Sequence, residues 1–468
     1  MRRFLNDVGG YLSDLRRATL RGWNTFFFSS ADPTSLGLVR IAVGLLAFWS
    51  LLVFGLDLQD YFGSTGWADA SAIRAIEGPL AWSFWFLVPD GWLRPVWCLC
   101  LAVLALFTVG LFSSVTAVVG WVIVVSTVRR VPIALYGFDQ VLSTLTLYLA
   151  MTGASGQAVS LDRFLERWRQ ARAAAGRVIK RAGPPGRRVR PDEPGRPPAT
   201  VSANLALRLI QLHLVVIYGM AGMAKLQGPN WWNGTAIWKT MATGEFVTLD
   251  FTAFAAWPLL VNLITHASLA LELLYPVLVW VKIVRPLLLA GVVAMHVGIA
   301  VMSPGLTEFA LVMIAGNLAF VAGPWLRGLT TGPSQPALSV LYDGACPRCR
   351  ASMALITAAD PDHVIDPVDL TAVEVSKVHA GLTHEDCMRS MHAVSHSGRI
   401  TAGFDAVRAV ASWLPLFWPF ALIGYLPGVA WAGRRVYNWL AAIRPRDIAC
   451  TDQVCGIHSS ATRTVPRD

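Results

Sequence analysis

Long apolar runs fill the first two thirds of the chain, at 35–56, 94–112, 114–128, 137–153, 203–224, 255–281, 284–302 and 307–325. A helix needs about 20 apolar residues to cross the hydrocarbon of a bilayer. The pattern therefore predicts a polytopic α-helical membrane bundle of about eight spans, of which the 114–128 run is the shortest. The stretch LAWSFWFLV (80–88) is too short to cross, and its two Trp suit a segment at the membrane interface. Residues 1–30 scatter apolar positions among arginines, with no small-residue cleavage site, which predicts a basic amphipathic helix lying on the membrane. The pattern changes after a turn-rich linker, RGLTTGPSQPA (327–337). LSVLYD then reads as a short strand ahead of a turn and a helix, and MHAVSHSGRITAGFDAVRAV (391–410) as strand, Ser-Gly turn, strand and helix. A small α/β domain is predicted from 338 onward. The run WLPLFWPFALIGYLPGVAW (413–431) holds three prolines, so it reads as core or membrane-docking helices rather than a further span.

Composition agrees with that division. The chain is 54% hydrophobic and 15% charged, against roughly 25% charged residues in an ordinary soluble domain. The net charge of +10 sits largely on arginines in loops between apolar runs, which reports topology and anionic lipid headgroups rather than nucleic acid. Arg2, Arg3, Arg16, Arg17 and Arg21 place the N-terminus in the cytoplasm by the positive-inside rule. The most basic loop, 160–202, and Lys282 and Arg285 fall on the same side, whereas Arg129 and Arg130 fall outside as the one sizeable exception. In that first loop Leu161, Phe164, Leu165 and Trp168 share a helical face ahead of a Pro/Gly/Arg stretch. The expectation is a multi-pass protein of the cell inner (plasma) membrane with both termini cytoplasmic. Its partners would be membrane lipids and a protein thiol or disulfide, with no nucleic acid.

Seven cysteines in 468 residues are too few for a disulfide scaffold. Cys98 and Cys100 lie in an apolar run and read as packing residues, and the other five follow residue 340. In Asp343-Gly-Ala-Cys346-Pro-Arg-Cys349 the first cysteine stands at a predicted helix start. Free N–H groups and the positive end of the helix dipole there favour a thiolate. Cys346 is thus expected to attack and Cys349, one turn later, to resolve the mixed disulfide, with Arg348 and Arg350 adding positive charge. The alternative is a zinc site of four thiolates, Cys346, Cys349, Cys450 and Cys455, or a purely structural pair. Cys387, following His384, could join either chemistry, although a buried thiol is the simpler reading. On the topology above, a reducing compartment would keep the pair as a dithiol.

The D-x-x-C-x-x-C motif at Asp343–Cys349 resembles the DCC family of predicted thiol-disulfide oxidoreductases. The resemblance continues through Gly403, Asp405 and Ala406 and the closing helix LPGVAWAGRRVYNWLAAIRPR (426–446). It covers 338–446, leaves a Cys-containing tail at 447–468, and implies a thioredoxin-like fold with Asp343, Cys346 and Cys349 as site residues. Where thioredoxins place a cis-proline, before the strand facing the dithiol, this chain has Ser390. Substrate recognition should differ accordingly.

Three motifs in the apolar part occur in order: ADPTSLGLVRIAVGLLAFWSLL (31–52) with Arg40, YGMAGMAKLQGPNWWNGTAIW (218–238) with Lys225, and LELLYPVLVW (271–280) with Glu272. Together they resemble the HTTM family, relatives of the membrane domain of vitamin K-dependent gamma-carboxylase, over residues 31–326. In that carboxylase the lysine at this position is the base acting on vitamin K hydroquinone. The resemblance thus implies a quinone-like or lipid ligand near Lys225, Glu272 and Arg40. The alternative is that Lys225 snorkels beside Trp231 and Trp232. VPIALYGFDQVL (131–142) lacks the histidine of the enzymatic members, Asp139 being its nearest polar candidate, so carboxylation is not implied. Arg40, Glu272, His213, His266 and His296 should all point into the bundle. An Arg40–Glu272 pair would satisfy both charges, and the histidines should serve interhelical hydrogen bonds rather than a metal. The functional expectation is a membrane-tethered thiol-disulfide oxidoreductase. The alternative is a non-catalytic assembly or lipid-binding protein with a regulatory or zinc-binding dithiol.

Overall fold

The computed structural model describes residues 2–67, 69–78, 82–167, 169–170, 197–242, 249–330, 336–360, 364–414 and 417–443. The chain forms two compact units, one from residues 1–162 and 197–324, the other from 163–196 and 325–468.

The first unit is helical. Among the described residues six of its helices are long and apolar enough to cross a membrane: Thr34–Phe62, Asp90–Val109, Ser113–Arg130, Val201–Lys225, Pro258–Leu278 and Arg285–Met302. The other two expected spans also form helices, Gly137–Thr152 and Thr307–Asn317, but with 16 and 11 residues. At 1.5 Å per residue these are the shortest of the eight, so that among the described residues six helices have spanning length and composition and the other two runs form shorter apolar helices. Gly153, in the left-handed region at φ 59°, ends the first of these short helices, and Pro304 stands just before the second. Leu36, Val39, Leu104, Phe107, Leu145, Leu149 and Leu214 pack at the centre with no exposed surface. Leu45, Leu99, Val216, Leu263 and Leu287 face outward. Apolar faces both inside and outside are what a helix in lipid requires, because the tails are as apolar as the core.

Two details add to the sequence reading. In the segment read as interfacial, Trp82 is exposed while Trp85 is 1% exposed and its indole N–H donates to Thr127 Oγ1 at 3.2 Å. Arg130, the apparent exception to the arginine pattern, is also buried; it donates to Gly63 O at 3.1 Å and lies 5.5 Å from the Phe86 ring. It is a structural group rather than a loop charge.

The second unit holds a mixed four-strand sheet in the order β2-β1-β3-β4. β1 (Leu338–Tyr342) pairs in parallel with β2 (Ile365–Asp369) and antiparallel with β3 (His392–Ser395), which pairs antiparallel with β4 (Ile400–Ala402). The parallel pair needs a crossover, supplied by the helix Pro347–Ala359. The Ser-Gly turn closes the β3–β4 hairpin with Gly398 at φ 80°. One side of the sheet is packed by Met353 from the crossover helix and by Ala406, Val410 and Leu414 from the Phe404–Trp413 segment. The 413–431 run breaks into the helix Trp418–Gly424 and the start of Pro427–Ala442, each too short to span a bilayer.

Candidate functional site

The dithiol is positioned by the end of β1. Asp343, 1% exposed, turns the chain: its Oδ1 accepts from Ala345 N at 3.0 Å and its carbonyl accepts from Cys346 N at 3.2 Å. Gly344 is required by a close approach, since a Cβ there would stand 2.1 Å from the Asp369 carboxylate. Arg350 Nη1 donates to Gly344 O at 3.0 Å and fixes the turn from the other side. Cys346 is then the N-cap of the Pro347–Ala359 helix, with Pro347 in its first turn, where a missing N–H costs nothing. The cap interaction is made by sulfur: Cys346 Sγ accepts from Cys349 N at 3.3 Å.

That geometry lowers the pKa of the Cys346 thiol from 9.0 to about 6. The largest cause is the hydrogen bond from the Cys349 side chain, followed among the favourable ones by the N–H groups of Cys349 and Arg348. Burial and the Asp343 charge work in the opposite direction. The expected thiolate stabilisation at a helix start is therefore reached through hydrogen bonds, while Arg350 is engaged with Gly344 O and Arg348 Nη1 with Ile443 O at 3.3 Å.

Access to the two sulfurs is unequal. Cys346 is 0% exposed, whereas Cys349 is partly exposed and borders a cavity of about 670 Å³. The cavity wall is chiefly apolar, from Met353, Ile356, Val407, Val410, Leu414 and Phe417. Met391 and Tyr437 also border it. Sequence reasoning missed these residues because they come from separate elements. The one signal was the apolar spacing 407, 410 and 414 on a single helical face. Cys387 borders the same cavity but is 1% exposed, and burial, assisted by Asp386, pushes its thiol up to about 11. It is a buried thiol, as the simpler reading had it. Cys450 and Cys455, the remaining ligands of the zinc alternative, lie outside the described residues. Among the described residues no three His, Cys, Asp or Glu side chains are grouped so as to hold a metal ion.

In the first unit the expected pairing of Arg40 with Glu272 is replaced by two separate arrangements. Lys225 Nζ contacts both carboxylate oxygens of Glu272 and lies 5.1 Å from the Trp231 ring. Arg40, 0% exposed, donates to the carbonyls of Ser155 and Val159 at 2.5 and 2.7 Å. Both carbonyls lie beyond the end of the Gly137–Thr152 helix, where the backbone lacks helical partners and a guanidinium fork can reach two at once. Asp139 caps the start of that helix, accepting from Tyr136 N at 3.1 Å. The histidines do not converge. His213 meets Tyr148 Oη at 3.3 Å and His296 meets Tyr218 Oη at 2.8 Å, whereas His266 is exposed and bonds back to Asn262 within its own helix. His266 therefore does not point into the bundle.

Comparison with known proteins bears on the second unit. The family model described as DCC1-like thiol-disulfide oxidoreductase matches residues 340–447. An uncharacterized chloroplastic protein of Arabidopsis thaliana is 26% identical over 97 residues, which cover 20% of this chain and 45% of the relative. The chain thus spans less than half the length of that relative. No solved structure matches. The matched region begins within β1, includes the capped Cys346 and Cys349 beside it, and closes after the Pro427–Ala442 helix, so that residues 340–447 form a DCC1-like thiol-disulfide oxidoreductase domain.

Proposed function

We propose that this chain is a multi-pass membrane protein that exchanges thiols and disulfides through Cys346 and Cys349. The observation that carries the reading is the Cys346 sulfur held as a helix N-cap beside a partly exposed Cys349, one turn away on the same helix. A stabilised thiolate is the species that attacks or leaves in disulfide exchange, and a neighbouring thiol closes the cycle. The β2-β1-β3-β4 order, with the dithiol at the end of the central β1, supports a thioredoxin-like domain. Asp343 acts as a positioning residue, because its carboxylate and carbonyl hold the turn that presents Cys346. The apolar helices support a multi-pass membrane protein; the arginine distribution, taken with all eight apolar runs crossing, supports an inner-membrane protein whose two termini are cytoplasmic, surrounded by lipid and acting on a protein thiol or disulfide.

The test is redox equilibration of the full chain in detergent with mixtures of glutathione and its disulfide. Peptide mass spectrometry should find a reversible Cys346–Cys349 disulfide whose fraction follows the buffer ratio. The double variant Cys346→Ser/Cys349→Ser should lose disulfide exchange with a thiol substrate. A pair that stays reduced at every ratio sinks the proposal.

A further inference from the structure

We propose that the substrate sulfur exchanges at Cys349 rather than Cys346, and that the cavity beside Cys349 admits an uncharged, apolar thiol or disulfide. This rests on the dithiol reading above and assigns its two sulfurs different roles. Cys346 has no exposed surface and does not border the cavity, so no substrate reaches its sulfur without rearrangement. Cys349 is the member of the pair that the cavity reaches. The wall it shares with Met353, Ile356, Val410, Leu414 and Phe417 is chiefly apolar, with Asp343 and Arg348 as its charged members, so it offers its largest contact area to an apolar group.

A second observation bears on how an extended peptide could dock beside the dithiol. The segment entering β3 borders the cavity at Met391, yet both its backbone groups are already engaged. Met391 N donates to Tyr437 Oη at 2.8 Å, and Met391 O accepts from Gly403 N at 2.9 Å. A substrate backbone finds no free donor at this residue, and its one carbonyl already holds Gly403 N. Recognition therefore falls to the apolar wall.

The chemistry suits this division of roles. In the oxidised state a substrate thiolate attacks Cys349 Sγ, the Cys346–Cys349 bond breaks, and Cys346 departs as a thiolate received by the N–H of Cys349. The lower the leaving thiol's pKa, the faster it leaves, and the N–H groups of Cys349 and Arg348 stabilise the departing Cys346 thiolate while the Cys349 sulfur is held in the mixed disulfide. The mixed disulfide on Cys349 is then attacked at the substrate sulfur by a second substrate thiolate, which expels Cys349 as a thiolate. Two substrate thiols become a disulfide, their two electrons pass to the dithiol, and their protons go to solvent and to Cys349. Run backwards, the same steps reduce an apolar disulfide, and the intermediate again sits on Cys349.

The experiment uses the full chain in detergent, reduced and then exposed to benzyl methanethiosulfonate, with adducts located by peptide mass spectrometry. Cys346→Ser should accumulate a benzyl adduct on Cys349, while Cys349→Ser should leave Cys346 unmodified over the same time. In the wild type, acid quenching at short times should find the first adduct on Cys349, followed by the Cys346–Cys349 disulfide; this arm does not depend on how either variant folds. Relative to free cysteine, Cys349 should prefer the benzyl reagent over trimethylammonium-ethyl methanethiosulfonate by about tenfold. A first adduct on Cys346, or equal rates with the two reagents, overturns the inference while leaving the dithiol reading intact. If the wild type never forms the Cys346–Cys349 disulfide, both fail.

Discussion

Glu272 in the helical unit and Cys346 in the C-terminal unit are both buried acids, and the groups that hold them differ in kind. Glu272, 5% exposed, faces the ammonium of Lys225, a side chain from another helix. Cys346, 0% exposed, caps the N–H of Cys349 at the start of its own helix. A side-chain partner can be deleted by one substitution, which leaves a charge in a poor solvent. A backbone partner survives every substitution that keeps the helix, although the largest single contribution to the low Cys346 pKa comes from the Cys349 side chain, which one substitution removes. The first arrangement therefore couples two helices through side chains alone, whereas the second tunes a reactive group through one side chain and two backbone N–H groups.

The sharpest way to break this contrast is Glu272→Ala. Stranding Lys225 should cost about 3 kcal/mol, read as a lowered thermal midpoint in detergent, and the double variant Glu272→Ala/Lys225→Met should recover much of it. Disulfide exchange per folded molecule should not change. Recovery by neither the double variant nor added lipid would show that the pair is not what stabilises this part of the bundle.

Arg40→Met should come next, at about 2 kcal/mol, because the carbonyls of Ser155 and Val159 lose their donor inside the bundle. A loss no larger than that of an exposed substitution would contradict this role.

For the dithiol the corresponding probe is pH. The folded pKa of Cys346 lies near 6, below its ordinary value of 9.0. A depressed acid stabilises the reduced fold fully above the unfolded value and loses that contribution as pH falls toward the folded one. The reduced chain should accordingly lose stability from about pH 9 down to about pH 6 relative to the Cys346→Ser variant. Thiolate absorbance of the wild type, less that of Cys346→Ser, should titrate near pH 6, and a midpoint near 9 would contradict the cap geometry. The smallest effect belongs to Cys387→Ala. Exchange should stay within about twofold of wild type, with about 1 kcal/mol of stability lost from the small cavity left behind.

Much of this was legible in the chain itself. The apolar runs declared their helices because period and length are local properties, and Asp343-Gly-Ala-Cys346 declared a strand end, a turn and a helix start. The runs at 137–153 and 307–325 form shorter helices than their hydropathy suggested, the second because its apolar residues continue past Asn317 into the tight turn Leu318–Phe320 and on to Gly323 and Pro324. Which charge meets which was not legible. Arg40 and Glu272 are plausible partners by type, and only the packing shows one reaching two carbonyls and the other a lysine 47 positions away in sequence.

What the sequence alone determined is the set of local chemistries: long apolar helices, a small α/β domain with three of its four strands, and a cysteine placed to receive backbone N–H groups. Each follows from residues within a few positions of one another. Only the tertiary structure decided which cysteine is accessible, because Cys346 is fully buried while the cavity beside Cys349 is assembled from the crossover helix, the 404–413 helix and Phe417. Exposure is a property of neighbours in space, and those neighbours are up to about 70 positions apart along the chain.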